Sequence, residues 1–161
     1  MDEGKQMEEL AEYVVGTPIT PPITNIAFTI PGEPQGKGRA RVGRVGGFVR
    51  MFTPDKTLAY EGLVSVLAKQ AMQNSPPFVG ACFADVIIFH SIPASFSKKK
   101  TASALAGELI PIKKPDVDNV LKAVFDGMNG IVWRDDTQAV KVRAEKKYSA
   151  TPGVFVSVAV I

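Results

Sequence analysis

Four segments of the chain have the hydrophobic patterning of β-strands. Residues 24–31 (TNIAFTIP) alternate between apolar and polar positions, while residues 79–92 (VGACFADVIIFHSI) form a long apolar run. Residues 138–149 and 153–161 have the composition of two further strands. We expect these last two strands to pair with each other through a turn at residues 151–153.

Glycine and proline are frequent between the first strand and the first helix, in residues 32–54, and they exclude a helix there. Within this segment the sequence VGRVGGFVR (residues 42–50) predicts a β-hairpin that turns at Gly46-Gly47. The arginines of the segment would then lie on an exposed ribbon or loop. Guanidinium groups in such a place pair well with phosphate oxygens.

The first predicted helix has Thr53 as its N-cap residue and Pro54 in its first turn, and it runs to about Gln73. Apolar residues recur along it at roughly helical spacing, and we expect this stripe to face the core. Its members are Leu58, Leu63, Val66, Leu67 and Ala71. Further along the chain, the basic segment 95–107 predicts a loop with a short helix that ends at Gly107.

A second main helix is predicted over residues 119–128, because Asn129-Gly130 forms a typical C-terminal stop. Its predicted buried stripe consists of Val117, Leu121, Val124 and Met128. The order of strands and helices predicts an α/β fold, in which two main helices pack on one mixed sheet.

The length of 161 residues fits a single domain, which we place at residues 24–161. Residues 1–23 look like an N-terminal extension that is either mobile or a packing arm. A short acidic helix is possible there up to Val15, and the prolines of GTPITPP end it.

Composition narrows the class of protein. A chain that is 45% apolar without a run of about 18 apolar residues predicts a soluble protein that does not span a membrane. The acidic N-terminus is unlike a secretory signal, and the single cysteine, Cys82, excludes an internal disulfide and a cysteine-rich zinc site. We expect Cys82 to be a small buried residue and the protein to be cytoplasmic.

Positive charge is concentrated in two clusters, although the formal net charge is only +3. Residues 1–12 contain five acidic residues and one lysine, or −4, so the remainder of the chain carries +7. Such clusters favour a polyanionic partner, nucleic acid above all, although an ordinary solvated surface is the alternative. The candidate DNA-binding residues are Lys37, Arg39, Arg41, Arg44, Arg50, Lys98, Lys99 and Lys100.

Acidic residues are concentrated in one short segment of this basic chain. Five of the eight aspartates fall within residues 114–136, namely Asp116, Asp118, Asp126, Asp135 and Asp136. Asp116 and Asp118 are two residues apart at a helix start, so both side chains can point the same way. If the residues after the helix run back along it, over roughly 20 Å, Asp136 can reach Asp118.

Converging carboxylates repel one another unless a cation lies between them, and an oxygen-rich cluster suits Mg²⁺ or Mn²⁺. In a basic protein such a site indicates phosphodiester hydrolysis. Lys122, one helical turn after Asp118, could then stabilise the negative charge that develops on the phosphate. The only histidine, His90, is distant in sequence, which argues against a histidine-based nuclease. Spacing alone leaves three alternatives to a metal site. Residues 116–119 could be a plain helix cap, Asp118 and Lys122 could form a surface ion pair, and Asp135-Asp136 could lie in a turn.

The complete segment KPDVDNVLKAVFDGMNGIVWRDDTQ resembles the signature of the RusA family of Holliday junction resolvases. That signature runs D-x-D-N-x-x-K, then an apolar helix containing F-D, then a tryptophan two residues before a D-D pair and a glutamine. The upstream GEPQGKGRAR and FTP segments are also similar to family members. The resemblance covers residues 25–161.

This resemblance implies a homodimeric, Mg²⁺-dependent endonuclease that resolves four-way DNA junctions by paired symmetric nicks in recombination and repair. It implies that Asp116, Asp118 and Asp136 bind the metal and that Lys122 is the essential lysine. Asp135 is the other member of the acidic pair and a possible further ligand. Mn²⁺ can replace Mg²⁺ in such a site.

Three residues of the signature have a different expected role. Phe125 and Asp126 are expected to be structural, and Trp133 is expected to be a packing anchor.

Three alternative functions remain open at this point. A nuclease of the same fold could act on flaps or displacement loops, and a relative without catalytic activity could only bind DNA. A sugar transferase with a D-x-D motif is disfavoured, because the basic clusters would have no role in it.

Overall fold

A computed structural model describes residues 23–161. The predictions for residues 1–22, including the possible helix up to Val15, lie outside the described residues. The strands are β1 (Asn25–Pro31), β2 (Arg41–Val45), β3 (Phe48–Phe52), β4 (Cys82–Ser91), β5 (Ala139–Ser149) and β6 (Gly153–Val160). The helices are α1 (Asp55–Met72), α2 (Lys98–Leu105) and α3 (Val117–Met128). A 3₁₀ turn covers Asp136–Gln138.

Four strands form one mixed sheet in the order β1-β6-β4-β5, and the predicted α/β class is confirmed. Strand β6 is antiparallel to both β1 and β4, whereas β5 is parallel to β4. Strands β2 and β3 form a separate two-stranded ribbon. Within residues 23–161, no helix combines the length and apolar character needed to cross a membrane.

The predicted pairing of β5 with β6 is wrong, because β4 lies between them. Alternate residues of β4 and β6 are fully buried, whereas β5 is largely exposed and carries charged residues such as Lys141, Arg143 and Glu145. Placing the two apolar strands next to each other in the centre buries more apolar surface. The charged strand then takes the edge of the sheet, where charges discourage further pairing.

Helix α1 begins one residue later than predicted and without the predicted cap. Pro54 is the N-cap residue, no side chain caps the helix, and the Pro54 carbonyl accepts the amide N–H groups of Thr57 and Leu58 at 2.9 and 3.1 Å. Thr53 is therefore not the N-cap. The hydroxyl of Thr57 instead accepts the N–H of Gly38 at 3.0 Å, which attaches the glycine-rich loop to this helix.

The predicted buried face of α1 is only partly correct, because Leu67 and Ala71 pack against the core but the other three members of the stripe are exposed. The buried residues are Thr57, Tyr60, Val64, Ala68 and Met72, while Leu58 and Val66, members of the predicted stripe, are each 53% exposed. Helix α1 packs closely on α3, where a Cβ atom added to Gly127 would lie only 2.7 Å from the Cβ of Val64. Such a close approach depends on how the facing side chains fit together, which the spacing of apolar residues along the sequence does not reveal.

Helix α3 and the segment after it form the centre of the core. The predicted stripe of α3 is confirmed for Val124 and Met128, whereas Val117 and Leu121 are only partly buried. Trp133 is fully buried, its Nε1 donates to the Asn129 side-chain oxygen at 2.8 Å, and its ring meets that of Phe125 edge-on at 5.1 Å. Its predicted role as a packing anchor is therefore confirmed, and Phe125 is part of the same core.

Three smaller predictions agree with the structure. The hairpin turns at Gly46-Gly47, where both residues have positive φ, as a two-residue hairpin turn of this kind requires. The short helix before Gly107 is present as α2, and the Ser97 hydroxyl accepts the Lys100 N–H at its start. Cys82 is buried.

Candidate active site

The start of α3 presents two exposed carboxylates. Asp116 is the N-cap residue, with extended backbone, and Asp118 lies in the first turn, so both carboxylates are at the positive end of the helix dipole. The glycine-rich loop lies against the same end, because the Lys37 N–H donates to the Asn119 carbonyl at 2.9 Å. A Cβ atom added to Gly36 would be 3.2 Å from Asn119 Cβ. The glycine therefore allows this close approach.

The chain after α3 turns back toward the middle of the helix, as predicted. Asp136 Oδ2 lies 3.4 Å from Lys122 Nζ, and Lys122 is one helical turn after Asp118. Gln138, which the sequence signature contains, holds this returning segment in place. Its side-chain oxygen accepts the Arg134 N–H at 2.9 Å, and its amide nitrogen donates to the Phe78 and Gly80 carbonyls, both at 2.9 Å.

The two adjacent aspartates of the returning segment have different environments. Asp135 caps the 3₁₀ turn, because its Oδ1 accepts the Thr137 N–H at 3.0 Å, and this hydrogen bond lowers the pKa of Asp135. Asp136 is half-buried and faces Lys122 instead. The geometry therefore distinguishes the pair and directs Asp136, rather than Asp135, toward the lysine.

An ion-pair network that the sequence analysis missed surrounds Lys122. Asp126 Oδ1 lies 3.1 Å from Lys122 Nζ, and Asp126 Oδ2 lies 2.6 Å from Lys37 Nζ, which also contacts Glu61 Oε1 at 2.5 Å. Asp126 is therefore structural, as expected, but it holds the lysine predicted to be essential. The spacing of Lys122 and Asp126, four residues apart on one helix, was a local signal that could have revealed this contact.

Lys37 was predicted to contact DNA, but its side chain is only 28% exposed and its ammonium faces Glu61 and Asp126. This placement gives it an internal role at the base of the glycine-rich loop. Nothing in the sequence near Lys37 indicates this internal role, because its partners Glu61 and Asp126 are 24 and 89 residues away.

Lys37, Lys122 and Asp126 hold one another in their charged forms. Burial tends to raise the pKa of Asp126, but the hydrogen bonds and charges of Lys37 and Lys122 outweigh it and lower that pKa. The hydrogen bond from Lys122 to Asp126 is the largest influence on Lys122 and raises its pKa. Lys122 is therefore a fixed cation that can donate hydrogen bonds, and it is not available as a general base.

The predicted metal ligands Asp116, Asp118, Asp135 and Asp136 do not form a closed cage. Among residues 23–161, no three His, Cys, Asp or Glu side chains converge in an arrangement that could hold a metal ion. The predicted ligands nevertheless supply the hard carboxylate oxygens that Mg²⁺ prefers.

The remaining predicted DNA-binding residues are exposed on two separate elements. Arg41, Arg44 and Arg50 lie on the ribbon formed by β2 and β3, and Arg39 immediately precedes it. The three lysines 98–100 open α2, which contacts β5, and Lys100 Nζ lies 4.1 Å from the centre of the Phe96 ring. The ribbon leaves the body of the protein beside the start of α3.

The geometry and the fold therefore describe an α/β protein with exposed carboxylates and a fixed lysine at one end of a buried helix. The family model of endodeoxyribonuclease RusA matches residues 31–159. The chain is also 37% identical over 135 residues to "Uncharacterized protein YqaN" of Bacillus subtilis (strain 168), an alignment that covers 83% of this chain and 94% of that protein. The chain belongs to the RusA family of endodeoxyribonucleases, which confirms the resemblance seen in the sequence.

Proposed function

We propose that the protein is a Mg²⁺-dependent endonuclease that resolves four-way DNA junctions by paired symmetric nicks during recombination and repair. One observation carries the proposal. Asp136 returns to Lys122, one helical turn from Asp118, on a helix that exposes Asp116 and Asp118 at its start. Family membership supports endodeoxyribonuclease activity, and the arrangement supplies the groups that such a reaction needs.

Asp116, Asp118 and Asp136 are the residues that would hold Mg²⁺, or Mn²⁺ in its place, with Asp135 as an adjacent carboxylate. A bound divalent cation supplies positive charge to the phosphate and lowers the pKa of the attacking water. The carboxylates would also accept hydrogen bonds from that water. Their exposure at the end of α3 leaves room for a phosphate of the DNA backbone.

Lys122 contributes a hydrogen-bond donor and a permanent charge. Its ammonium lies between Asp126 and Asp136, at 3.1 and 3.4 Å, so its position is fixed before DNA binds. A preorganised cation stabilises negative charge that develops on the phosphate more effectively than a mobile one. Asp126 is a positioning residue in this scheme, because it acts on the phosphate only through Lys122.

Paired nicks require two active sites in related orientations. A four-way junction has local two-fold symmetry, and a homodimer with two-fold symmetry presents two identical sites to equivalent phosphates. We therefore include a homodimer in the proposal.

The decisive experiment compares a synthetic four-way junction with a linear duplex of the same sequence, with Mg²⁺ and with EDTA. We expect symmetric nicks in the junction alone and only with Mg²⁺. The Asp118→Asn variant should lose at least about 100-fold in cleavage rate while it still binds the junction. Asp55→Asn, which alters an exposed aspartate in the first turn of α1, is the matched control and should cleave normally.

Two results would contradict the proposal. Equal cutting of the linear duplex would exclude junction specificity, and normal cleavage by Asp118→Asn would exclude the assigned carboxylate. Sedimentation of the wild-type protein tests the homodimer separately.

A further inference from the structure

The ribbon of β2 and β3 exposes apolar side chains on both of its faces. Its two strands pair only with each other, and Val42, Phe48, Val49 and Met51 are each between 64 and 75% exposed. A two-stranded ribbon is marginally stable in water, and clustered exposed apolar residues mark an interaction surface. A binding partner that covers the ribbon would remove both costs.

The strand register assigns these residues to two different faces. Arg41 is opposite Phe52, Gly43 is opposite Arg50, and Val45 is opposite Phe48, so these six residues share one face. We call this the arginine–phenylalanine face. The other face carries Val42, Arg44, Val49 and Met51. Phe48 follows the tight turn directly and is 75% exposed, so an aromatic ring stands near the tip of the ribbon, beyond Arg50.

Charge favours DNA as the partner of this face. Between Glu33 and Asp55 the chain contains one lysine and four arginines but no acidic residue, and the arginines among them are exposed. Packing this ribbon on the ribbon of a second copy would bring like charges together. A polyanion that also presents flat apolar rings matches both the arginines and the phenylalanines.

The root of the ribbon is fixed beside the proposed active site. The Gly38 N–H donates to the Thr57 hydroxyl on α1, and the Lys37 N–H donates to the Asn119 carbonyl, next to Asp118. Each ribbon strand has five residues and spans about 17 Å. DNA with a phosphate at Asp118 would therefore lie within reach of the ribbon.

We propose that Phe48 is a specificity-determining residue that stacks on a base exposed at a DNA branch point, while Arg41 and Arg50 on the same face contact the flanking phosphates. The inference rests on the proposed function and extends it by naming the group that recognises the branch. In a linear duplex the bases are stacked on their neighbours, whereas a branch point offers base faces to an aromatic ring or an apolar wedge.

The experiment measures affinity for a four-way junction and for a linear duplex of the same sequence, without divalent cations so that the DNA stays intact. We expect Phe48→Ala to bind the junction about tenfold more weakly and the duplex almost unchanged. Phe48→Trp should retain the preference for the junction, because it keeps an aromatic face. Val66→Ala, which alters an apolar residue that is 53% exposed on α1 and outside the ribbon, is the matched control and should behave as the wild type.

Three outcomes would overturn the inference. Phe48→Ala could keep the full preference for the junction, or it could lose the same factor on both DNAs. It could also sediment as a smaller species than the wild type, which would show that a second copy covers the ribbon. If the wild type itself does not prefer the junction, the proposed function fails and the inference falls with it. If the wild type prefers and cuts the junction and Phe48→Ala behaves in the same way, the proposed function stands and only this inference fails.

Discussion

The returning segment and the basic ribbon are held in opposite ways, although both lie beside α3. The returning segment is fixed by the buried Trp133, by the three hydrogen bonds of Gln138 and by the contact of Asp136 with Lys122. The ribbon pairs only with itself and is exposed on both faces. Two segments beside the same helix therefore differ in how strongly the rest of the protein restrains them.

This difference agrees with what the two regions are proposed to do. A reacting phosphate needs charged groups at fixed distances, and small displacements of such groups slow a reaction strongly. Contacts to a DNA backbone and to exposed bases depend less on fixed positions, because long arginine side chains adapt to the phosphates. The comparison predicts that substitutions near α3 change rates, whereas substitutions on the ribbon change affinities.

Among substitutions that leave the proposed metal ligands intact, the largest effect is expected for Asp126→Asn, which removes the charge that holds Lys122 and Lys37. Cleavage of the junction at saturating enzyme should slow by about 10–100-fold, while DNA affinity changes little, because Lys122 loses its fixed position. Single-turnover kinetics separate the two quantities. Asp126→Glu should recover part of the rate, because it restores the charge.

Asp85→Asn is the matched control, since it removes the ion pair with Arg143 on strands β4 and β5, away from α3. Its cleavage rate should equal that of the wild type. If Asp126→Asn also cuts at the normal rate, the network does not position Lys122. A loss of affinity equal to the loss of rate would remove the proposed contrast between the two regions.

A second prediction concerns how tightly α3 is held against α1. Gly127→Ala places a Cβ atom 2.7 Å from Val64 Cβ and 3.0 Å from the Glu61 carbonyl oxygen. Gly62→Ala is its matched control, because Gly62 is also helical but has no atom within 4 Å of an added Cβ. Both substitutions replace a helical glycine by alanine and raise helix propensity. The difference between the stabilities of the two variants therefore reports the effect of the added Cβ on packing.

We expect Gly127→Ala to be less stable than Gly62→Ala by about 1–3 kcal/mol in urea unfolding. Gly62→Ala alone should stabilise the protein by up to about 1 kcal/mol. Equal stabilities for the two variants would show that the contact between α1 and α3 yields easily, against the close packing inferred at Gly127 and Val64.

The smallest effect on the reaction is expected for the double substitution Arg39→Ala with Arg41→Ala. Binding should weaken for junction and duplex alike, and the slope of log affinity against log salt should fall by about 1–2 units, because two phosphate contacts are lost. Cleavage at saturating enzyme should stay close to normal. Binding titrations at several salt concentrations provide the measurement.

Lys69→Ala with Lys147→Ala removes the same charge from the last turn of α1 and from β5. A slope that falls equally in this control would mean that net charge alone governs binding and that the ribbon has no special role. An unchanged slope in the arginine variant would mean that those side chains face away from the DNA.

Local signals in the sequence predicted the elements well and their partners poorly. The C-terminal end of α3 was evident because Asn129-Gly130 provides a stop, and the hairpin was evident from Gly46-Gly47. Chain length showed only that Asp136 could return along the helix, and the structure places it beside Lys122. The buried face of α1 was predicted only in part, because it depends on the close contact between Val64 and Gly127.

Interactions between distant parts of the chain were missed for the same reason. The pairing of β6 with β1 and β4 depends on which strands are apolar on the helix-facing side, and proximity in sequence favoured β5 instead. The contact of Lys37 with Asp126 joins residues 89 positions apart, and only the assembled fold shows it. The choice between Asp135 and Asp136 likewise required the geometry of the 3₁₀ turn.

The position of β6 has a consequence for synthesis on the ribosome. Residues 153–160 occupy the second place in the sheet, between the strand that is made first and the strand β4 from the middle of the chain. Until these residues leave the ribosome, β1 has no partner and β4 has one unpaired side, although β5 is already available. The nascent chain therefore exposes apolar strand edges until residues 153–160 have been made.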